Sequence, residues 1–211
     1  MRFRRTVALA MLTITLVVPL VTSSTPVHAA AIVCIDPGHG GSETGSSGGG
    51  ILEKDLNLNV ARKLGDVLVS RDYAVEFTRT DDSNPSRTAR AQFCNSKQAT
   101  VLISVHHNGS SDPAVDYTTA LYQKRIDKAL AAAVSQAVAR DATGLMSRTG
   151  QFASAVLLKS DMPATISEGY FLTSTAEQAK LTDFDLLTGS CSYCQTEAEA
   201  IANGVKAYLG L

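Results

Sequence analysis

Short apolar segments alternate with segments of helical periodicity along the chain from residue 31 onward. The apolar segments have the length of buried strands, and two of them run into a strong turn signal, Pro37-Gly38 and Asn108-Gly109. We predict strands at residues 31–36, 74–78, 101–107, 117–123, 156–158 and 164–171. Strands that alternate with helices in this way favour an α/β sandwich with a largely parallel sheet.

The intervening segments carry apolar residues at the spacing of amphipathic helices. Asn84 and Pro85 are favoured as the N-cap and the first residue of one of these helices. The glycine-rich stretch at residues 40–50 predicts a flexible surface loop. The predicted helices begin at Glu53, run from Asn84-Pro85 towards Cys94, span residues 126–138 up to Gly144, and cover residues 201–209.

The N-terminal segment has the three parts of a secretory signal peptide. A basic start (MRFRR) precedes an apolar run at residues 6–21, and the sequence VHA at 27–29 is a small-residue cleavage pattern. A permanent membrane anchor is the alternative, but the apolar run is short and contains Pro19. We therefore predict a signal peptide at residues 1–29 and a single domain at residues 30–211.

Removal of this signal peptide would make the remaining chain acidic. It would leave 16 of the 19 Lys and Arg residues and all 20 Asp and Glu residues, a net charge near −4. The sequence also has no basic run, which argues against nucleic acid or an anionic membrane surface as a partner. We expect an exported, soluble domain that keeps no stable membrane anchor.

Four cysteines, which allow three full pairings, would meet an oxidising environment after export. Cys191 and Cys194 could close a small local loop, and Cys34 and Cys94 could form a second disulfide. A redox or zinc pair is the alternative for the C-S-Y-C segment. However, redox pairs of this spacing normally open a helix after a strand, and no second Cys-x-x-Cys pair is present to complete a zinc site.

Three histidines follow the predicted signal peptide, and all lie at or just past the ends of predicted strands. They are His39, His106 and His107. Loops beyond the carboxyl ends of parallel strands meet at one edge of the sheet. Two histidines from different strands, together with a carboxylate, form a ligand set typical of catalytic zinc. The residues alone do not choose between His106 and His107.

Two glutamates are candidates to complete this site. Glu53 begins the first long helix, where it could bind a metal or could simply complement the helix dipole. Glu168 lies in an apolar predicted strand, where burial of a carboxylate is costly unless it has a partner. Beside a metal site Glu168 could act as a general acid/base, and the alternative is a carboxylate held by backbone donors.

Four segments around these residues resemble, in order and with similar spacing, the motifs of the zinc-dependent N-acetylmuramoyl-L-alanine amidases (amidase-3 type) of bacterial cell-wall metabolism. They are IDPGHGG at 35–41, EKDLNL at 53–58, SVHHN at 104–108 and MPATISEGYFL at 162–172. Further positions similar to the family pattern are Arg79, Asp82, Arg87 and Asn95.

The resemblance implies a role for each candidate residue. His39, Glu53 and His106 correspond to the metal ligands, and Glu168 corresponds to the catalytic acid/base. The family histidine directly follows Ser-x in the third motif, which favours His106 over its neighbour. His107 stands where the family usually has a small residue, so it either contacts substrate or has no part in the reaction.

The resemblance also implies a fold, a cofactor and a substrate. The expected fold is a single-domain, three-layer α/β sandwich with a mixed, mostly parallel sheet flanked by helices. The expected reaction is Zn²⁺-dependent hydrolysis of the amide between N-acetylmuramic acid and the L-alanine of the stem peptide, in peptidoglycan or in muropeptides. We expect a monomer. Two rival functions are a catalytically silent peptidoglycan-binding domain and a zinc peptidase or deacetylase that acts on another exported substrate.

Overall fold

The computed structural model describes residues 30–210 of the chain. The signal peptide predicted at residues 1–29 lies outside these residues. Within them, no helix combines the length and the apolar composition that a membrane crossing requires.

The strands of the described residues form one large sheet and one small hairpin. The strands are β1 (Ile32–Pro37), β2 (Ser47–Gly48), β3 (Ile51–Leu52), β4 (Ala74–Phe77), β5 (Val101–Asn108), β6 (Thr118–Tyr122), β7 (Ser147–Gln151) and β8 (Ala164–Phe171). The large sheet has the order β4-β1-β5-β8-β6-β7, and β2 pairs with β3. Only the β6–β8 pair of the large sheet is antiparallel. The prediction of a mixed, mostly parallel sheet is therefore confirmed.

Helices cover both faces of this sheet. They are α1 (Glu53–Val69), α2 (Arg87–Ser96), α3 (Lys128–Val138), α4 (Ala155–Lys159), α5 (Thr175–Gln178) and α6 (Ser192–Leu209). Side chains of β1 alternate between two apolar cores: Val33 and Ile35 pack with α1, α3 and α6, whereas Cys34 packs with α2 and α4. This arrangement confirms the predicted three-layer α/β sandwich.

The structure corrects the predicted strand at residues 156–158, which is the short helix α4. Its backbone turns so that the Leu158 amide donates to the Ser154 carbonyl at 2.8 Å. Val156 and Leu157 are buried by packing near α2. Three consecutive apolar residues are buried in a strand or in one helical turn alike, so the sequence pattern could not distinguish the two.

The start of α2 and two further elements also differ from the prediction. Ser86, and not Asn84, is the N-cap of α2, and its side chain accepts a hydrogen bond from the Ala89 amide. The edge strand β7 was not predicted because its sequence, SRTGQ, has no apolar alternation, and the short α5 was also missed. The glycine-rich loop at 40–50 includes part of the β2–β3 hairpin.

Both expected disulfides are present. Cys34–Cys94 joins β1 to α2 with a Cα–Cα distance of 5.7 Å, and Cys191–Cys194 joins the N-cap of α6 to its first turn. All four cysteines are buried. The structure thus assigns the Cys-x-x-Cys segment to a local crosslink at the start of a helix.

Candidate functional site

The structure brings His39, Glu53 and His106 together at the carboxyl ends of β1 and β5. The Oε1 atom of Glu53 lies 3.1 Å from Nε2 of His39 and 3.0 Å from Nδ1 of His106. One ligand atom from each residue lies within 4.8 Å of the others. Glu53 is buried, whereas both imidazoles keep about a fifth of their surface exposed, 21% for His39 and 19% for His106. Two imidazole nitrogens and one carboxylate oxygen form a donor set that fits Zn²⁺.

His39 reaches this cluster through an unusual backbone turn. The amide of Gly38 donates to the Val105 carbonyl at 2.9 Å, which extends the β1–β5 pairing to the last residue before His39. His39 itself has a φ of 61°, in the left-handed region that residues with a side chain seldom adopt. Backbone strain of this kind persists only where the surroundings enforce it, and it is common at functional sites.

Two glycines allow the backbone to approach the cluster closely. A Cβ atom on Gly38 would lie 2.2 Å from Nε2 of His106, and one on Gly45 would lie 2.3 Å from Oε2 of Glu53. Gly45 also has a positive φ of 69°. A side chain at either position would therefore displace one of the candidate ligands.

Glu53 is held as a carboxylate by several donors. Its Oε2 accepts the Ser46 amide at 2.7 Å, and its Oε1 accepts the His107 amide at 3.2 Å and Nδ2 of Asn57 at 3.3 Å. Burial opposes ionisation, but the hydrogen bonds and charges of His106 and His39 hold the pKa of Glu53 well below its usual value. The residue that begins α1 thus presents an ionised carboxylate to the two histidines.

Glu168 lies beside His106 on the neighbouring strand. The two residues are directly paired in the parallel β5–β8 register. Burial raises the pKa of Glu168; the charge of Glu53 also raises it, whereas His106 opposes the shift. The Oε2 atom of Glu168 is buried and has no hydrogen-bond partner among the described residues. Such an unpaired atom is expected where a ligand or reacting group completes the site.

Two buried arginines fasten the loop that carries His39. Arg90 forms a 2.8 Å salt bridge to Asp36 and donates to the carbonyl of His39 at 2.8 Å. Arg79 donates to the carbonyls of Pro37 and Gly38, both at 2.8 Å. Burial and the adjacent charge of Arg90 lower the pKa of Arg79 to about 10.

Sequence reasoning singled out Arg87 and missed Arg90. The structure places Arg87 on an exposed wall of the cleft, whereas Arg90 is buried under the loop. The signal that could have found Arg90 is Asp36, a carboxylate in an apolar strand that requires a buried cationic partner. Of the other motif positions, Asp82 is exposed and pairs with Lys54 at 2.8 Å. Asn95 donates to the Lys159 carbonyl at 2.9 Å, away from the cluster.

The cluster opens into a cleft of about 620 Å³ between the β1 loop, the start of α2 and the segment that leads into α4. The cleft is mixed in chemistry and presents cationic, aromatic and carboxylate side chains. Its lining includes His39, Arg87, His106, Phe152 and Glu168. Three of the four predicted site residues therefore face the same cleft, and the fourth, Glu53, is buried behind them.

His107 does not face this cleft. It is 1% exposed, and its ring lies between Asn57 and Glu197 on the opposite side of β5. Contact with substrate, one of the two roles predicted for His107, does not fit this position.

Comparison with known proteins gives a consistent family. The sequence model of the N-acetylmuramoyl-L-alanine amidase family matches residues 33–207. The chain is 28% identical to the uncharacterized protein YqiI of Bacillus subtilis, over 97% of this chain and 96% of that protein. It is 32% identical to the N-acetylmuramoyl-L-alanine amidase CwlM of Bacillus licheniformis, over 82% of this chain and 66% of that protein.

A solved structure agrees with these sequence matches. The N-acetylmuramoyl-L-alanine amidase AmiC2 of Nostoc punctiforme superposes with a TM-score of 0.77 at 29% identity, over 86% of this chain and 98% of that chain. The family match thus covers the strands, the helices and the residues of the cluster described above. The chain belongs to the N-acetylmuramoyl-L-alanine amidase family.

Proposed function

We propose that this protein hydrolyses the amide between N-acetylmuramic acid and the L-alanine of the peptidoglycan stem peptide. His39, Glu53 and His106 would hold a zinc ion, and Glu168 would act as the acid/base. The observation that carries the proposal is the cluster of two histidines and one glutamate at the edge of a cleft, with an unpaired carboxylate oxygen beside it. Family membership supplies the reaction and the substrate class.

The residues of the cluster fit a catalytic zinc site in number and in kind. Three protein ligands leave a coordination position free, as catalytic zinc sites require. A bound Zn²⁺ would supply Lewis-acid polarisation of the scissile carbonyl and would acidify a water molecule. Glu53 is held as a carboxylate, and both histidines are partly exposed and line the cleft, which supports a metal-binding role for the three side chains.

Glu168 would move the proton during hydrolysis. Its unpaired Oε2 would accept a proton as water attacks the carbonyl carbon, and would then donate this proton to the departing nitrogen of L-alanine. The raised pKa of Glu168 suits the second step, because a carboxyl with a higher pKa holds the proton until the amine leaves. The C–N bond breaks, and the products are a free carboxylate and a free amine.

The site of action would lie outside the cytoplasm. The signal peptide predicted at residues 1–29 supports export, and the acidic mature chain with two disulfides suits an oxidising compartment. We propose the periplasm, the cell wall or the extracellular medium as the location, and peptidoglycan or its soluble fragments as the substrate.

Substitution of Glu168 tests its part in this function. Glu168→Gln should leave the zinc content unchanged but lower kcat on muropeptides by about 100- to 10,000-fold. His39→Ala should instead lower the zinc content measured by elemental analysis. Hydrolysis by Glu168→Gln at the wild-type rate would remove Glu168 from the mechanism, and unchanged zinc content in His39→Ala would remove His39 from the ligand set.

A further inference from the structure

A network of buried, hydrogen-bonded polar side chains extends from Glu53 away from the cleft. Asn57, one helical turn after Glu53 on α1, donates from Nδ2 to Oε1 of Glu53 at 3.3 Å. The Oδ1 atom of Asn57 lies 2.8 Å from Nδ1 of His107, and Nε2 of His107 lies 3.0 Å from Oε2 of Glu197 on α6. Asn57, His107 and Glu197 are at most 1% exposed.

The hydrogen-bonding capacities of the partners determine which atoms of this network donate and which accept. Nδ2 of Asn57 also lies 3.2 Å from the Gly38 carbonyl, which can only accept a hydrogen bond. The amide nitrogen must therefore face Gly38 and Glu53, and the amide oxygen must face His107. It follows that Nδ1 of His107 carries a hydrogen, and that one further proton lies between its Nε2 and Glu197.

The surroundings of Glu197 are shaped to admit this carboxylate. A Cβ atom on Gly169 would lie 2.2 Å from Oε1 of Glu197, so β8 makes room for it only because residue 169 is glycine. The ring of Tyr170 packs edge-on against His107 with centroids 4.5 Å apart. Burial of a histidine and a glutamate away from the cleft is costly, and stability alone does not favour such a pair over apolar residues.

We propose that His107 and Glu197 are positioning residues for Glu53. Glu197 holds the ring of His107, the ring holds the Asn57 amide in one orientation, and the amide donates to the glutamate that would bind the metal. The same amide donates to the carbonyl of Gly38, the residue before His39. The network therefore supports two of the three candidate ligands. The inference rests on the proposed zinc site. Outer partners that orient metal ligands typically change metal affinity by about 10- to 100-fold when they are removed.

The test is the zinc affinity of purified variants, measured by competition with a chromophoric chelator. Glu197→Leu should bind zinc about 10- to 100-fold more weakly than the wild type, because Nε2 of His107 then loses its hydrogen-bond partner. Glu197→Gln should recover most of this loss, because its amide can accept from or donate to Nε2. Glu199→Gln is a control on the exposed side of the same helix and should bind zinc like the wild type.

The outcomes separate this inference from the proposed function. If the wild type binds no zinc, the proposed function fails. If the wild type binds zinc and folded Glu197→Leu binds it equally well, the positioning role fails and the buried pair is only structural. A loss of zinc affinity in Glu197→Leu that Glu197→Gln largely avoids would not result from a general loss of packing.

A measurement on the unsubstituted protein covers the case in which Glu197→Leu does not fold. In nitrogen-15 NMR spectra of the metal-free wild type, the Nδ1 hydrogen of His107 should be present and protected from exchange with solvent. The Asn57 amide resonances should shift when zinc is added. A rapidly exchanging or absent Nδ1 hydrogen, or an Asn57 signal that zinc leaves unchanged, would overturn the proposal.

Discussion

At the scale of single residues, the site depends on buried charges that are matched by specific partners. Asp36 ends the apolar part of β1 and contacts Arg90, Ser104 and Thr78. Burial opposes its ionisation, but the Arg90 charge and the two hydroxyl donors together hold the pKa of Asp36 below its usual value. Its carboxylate therefore stabilises the folded state at any pH above the ordinary pKa of a carboxyl, about 4.

This pairing predicts the effect of Asp36→Asn. The variant leaves Arg90 buried without its counter-charge and should lose about 3–5 kcal/mol of unfolding free energy near neutral pH. The difference in unfolding free energy between the wild type and Asp36→Asn should shrink as the pH falls below about 4. The Asp36 carboxylate of the folded wild type becomes protonated as the pH approaches its lowered pKa. Denaturant unfolding at several pH values measures both effects.

Asp66→Asn provides the matched control for Asp36→Asn, since Asp66 is exposed on α1. It should unfold within about 0.5 kcal/mol of the wild type. An Asp36→Asn variant as stable as this control would show that the buried Asp36–Arg90 ion pair does not stabilise the fold around the loop that carries His39.

The sequence predicts the residues of the cluster better than it predicts the residues that hold them in place. Strand-end positions made the three histidines candidates, and the resemblance to the amidase family selected His39, Glu53, His106 and Glu168. The structure brings these four side chains together. Arg90, Asn57 and Glu197 were not singled out, because their roles depend on partners 54, 50 and 90 residues away along the chain. No local pattern carries contacts of that separation.

At the scale of elements, the ends of β1 and β5 are joined so closely that only glycine fits between them. Gly38→Ala should push the His106 imidazole out of position, since the new Cβ would overlap it. We expect zinc affinity to fall by about 10- to 100-fold, with the fold retained by circular dichroism. Gly150→Ala on the edge strand β7, where a Cβ would lie 3.2 Å from Leu121, is the control and should leave zinc affinity unchanged. Equal affinities for the two variants would contradict the close-approach role of Gly38.

The two disulfides should contribute differently to stability. Cys34–Cys94 closes a separation of 60 residues between β1 and α2, whereas Cys191–Cys194 closes one of 3 residues. Loop-closure entropy assigns about 4 kcal/mol to the first and about 1–2 kcal/mol to the second. Double Cys→Ala variants of each pair, unfolded in denaturant without reductant, should show this order. Equal losses, or a larger loss for the short loop, would contradict it.

The elements were predictable where a periodic pattern was long. The mostly parallel sheet, α1 and α3 follow from apolar periodicity that extends over several turns or a full buried strand. The short α4 and the polar edge strand β7 lack such a pattern, and tertiary packing alone determines their conformation.

At the scale of the whole molecule, the three-layer architecture places one strand end from β1, one from β5 and the start of α1 at the same edge of the sheet. The cleft, the cluster and Glu168 on β8 therefore form a single site. The bond that this site would cleave is inferred from family membership and from the chemistry of the candidate ligands.

Product analysis of purified peptidoglycan digested by the purified protein tests the central claim most directly. We predict free stem peptides that begin with L-alanine, detected by mass spectrometry. Their release should stop with a chelator and resume when zinc is restored. Release of acetate would indicate a deacetylase and cleavage within the peptide a peptidase. Binding to peptidoglycan without any product at saturating zinc would indicate a binding domain, and each of these results would contradict the proposed amidase function.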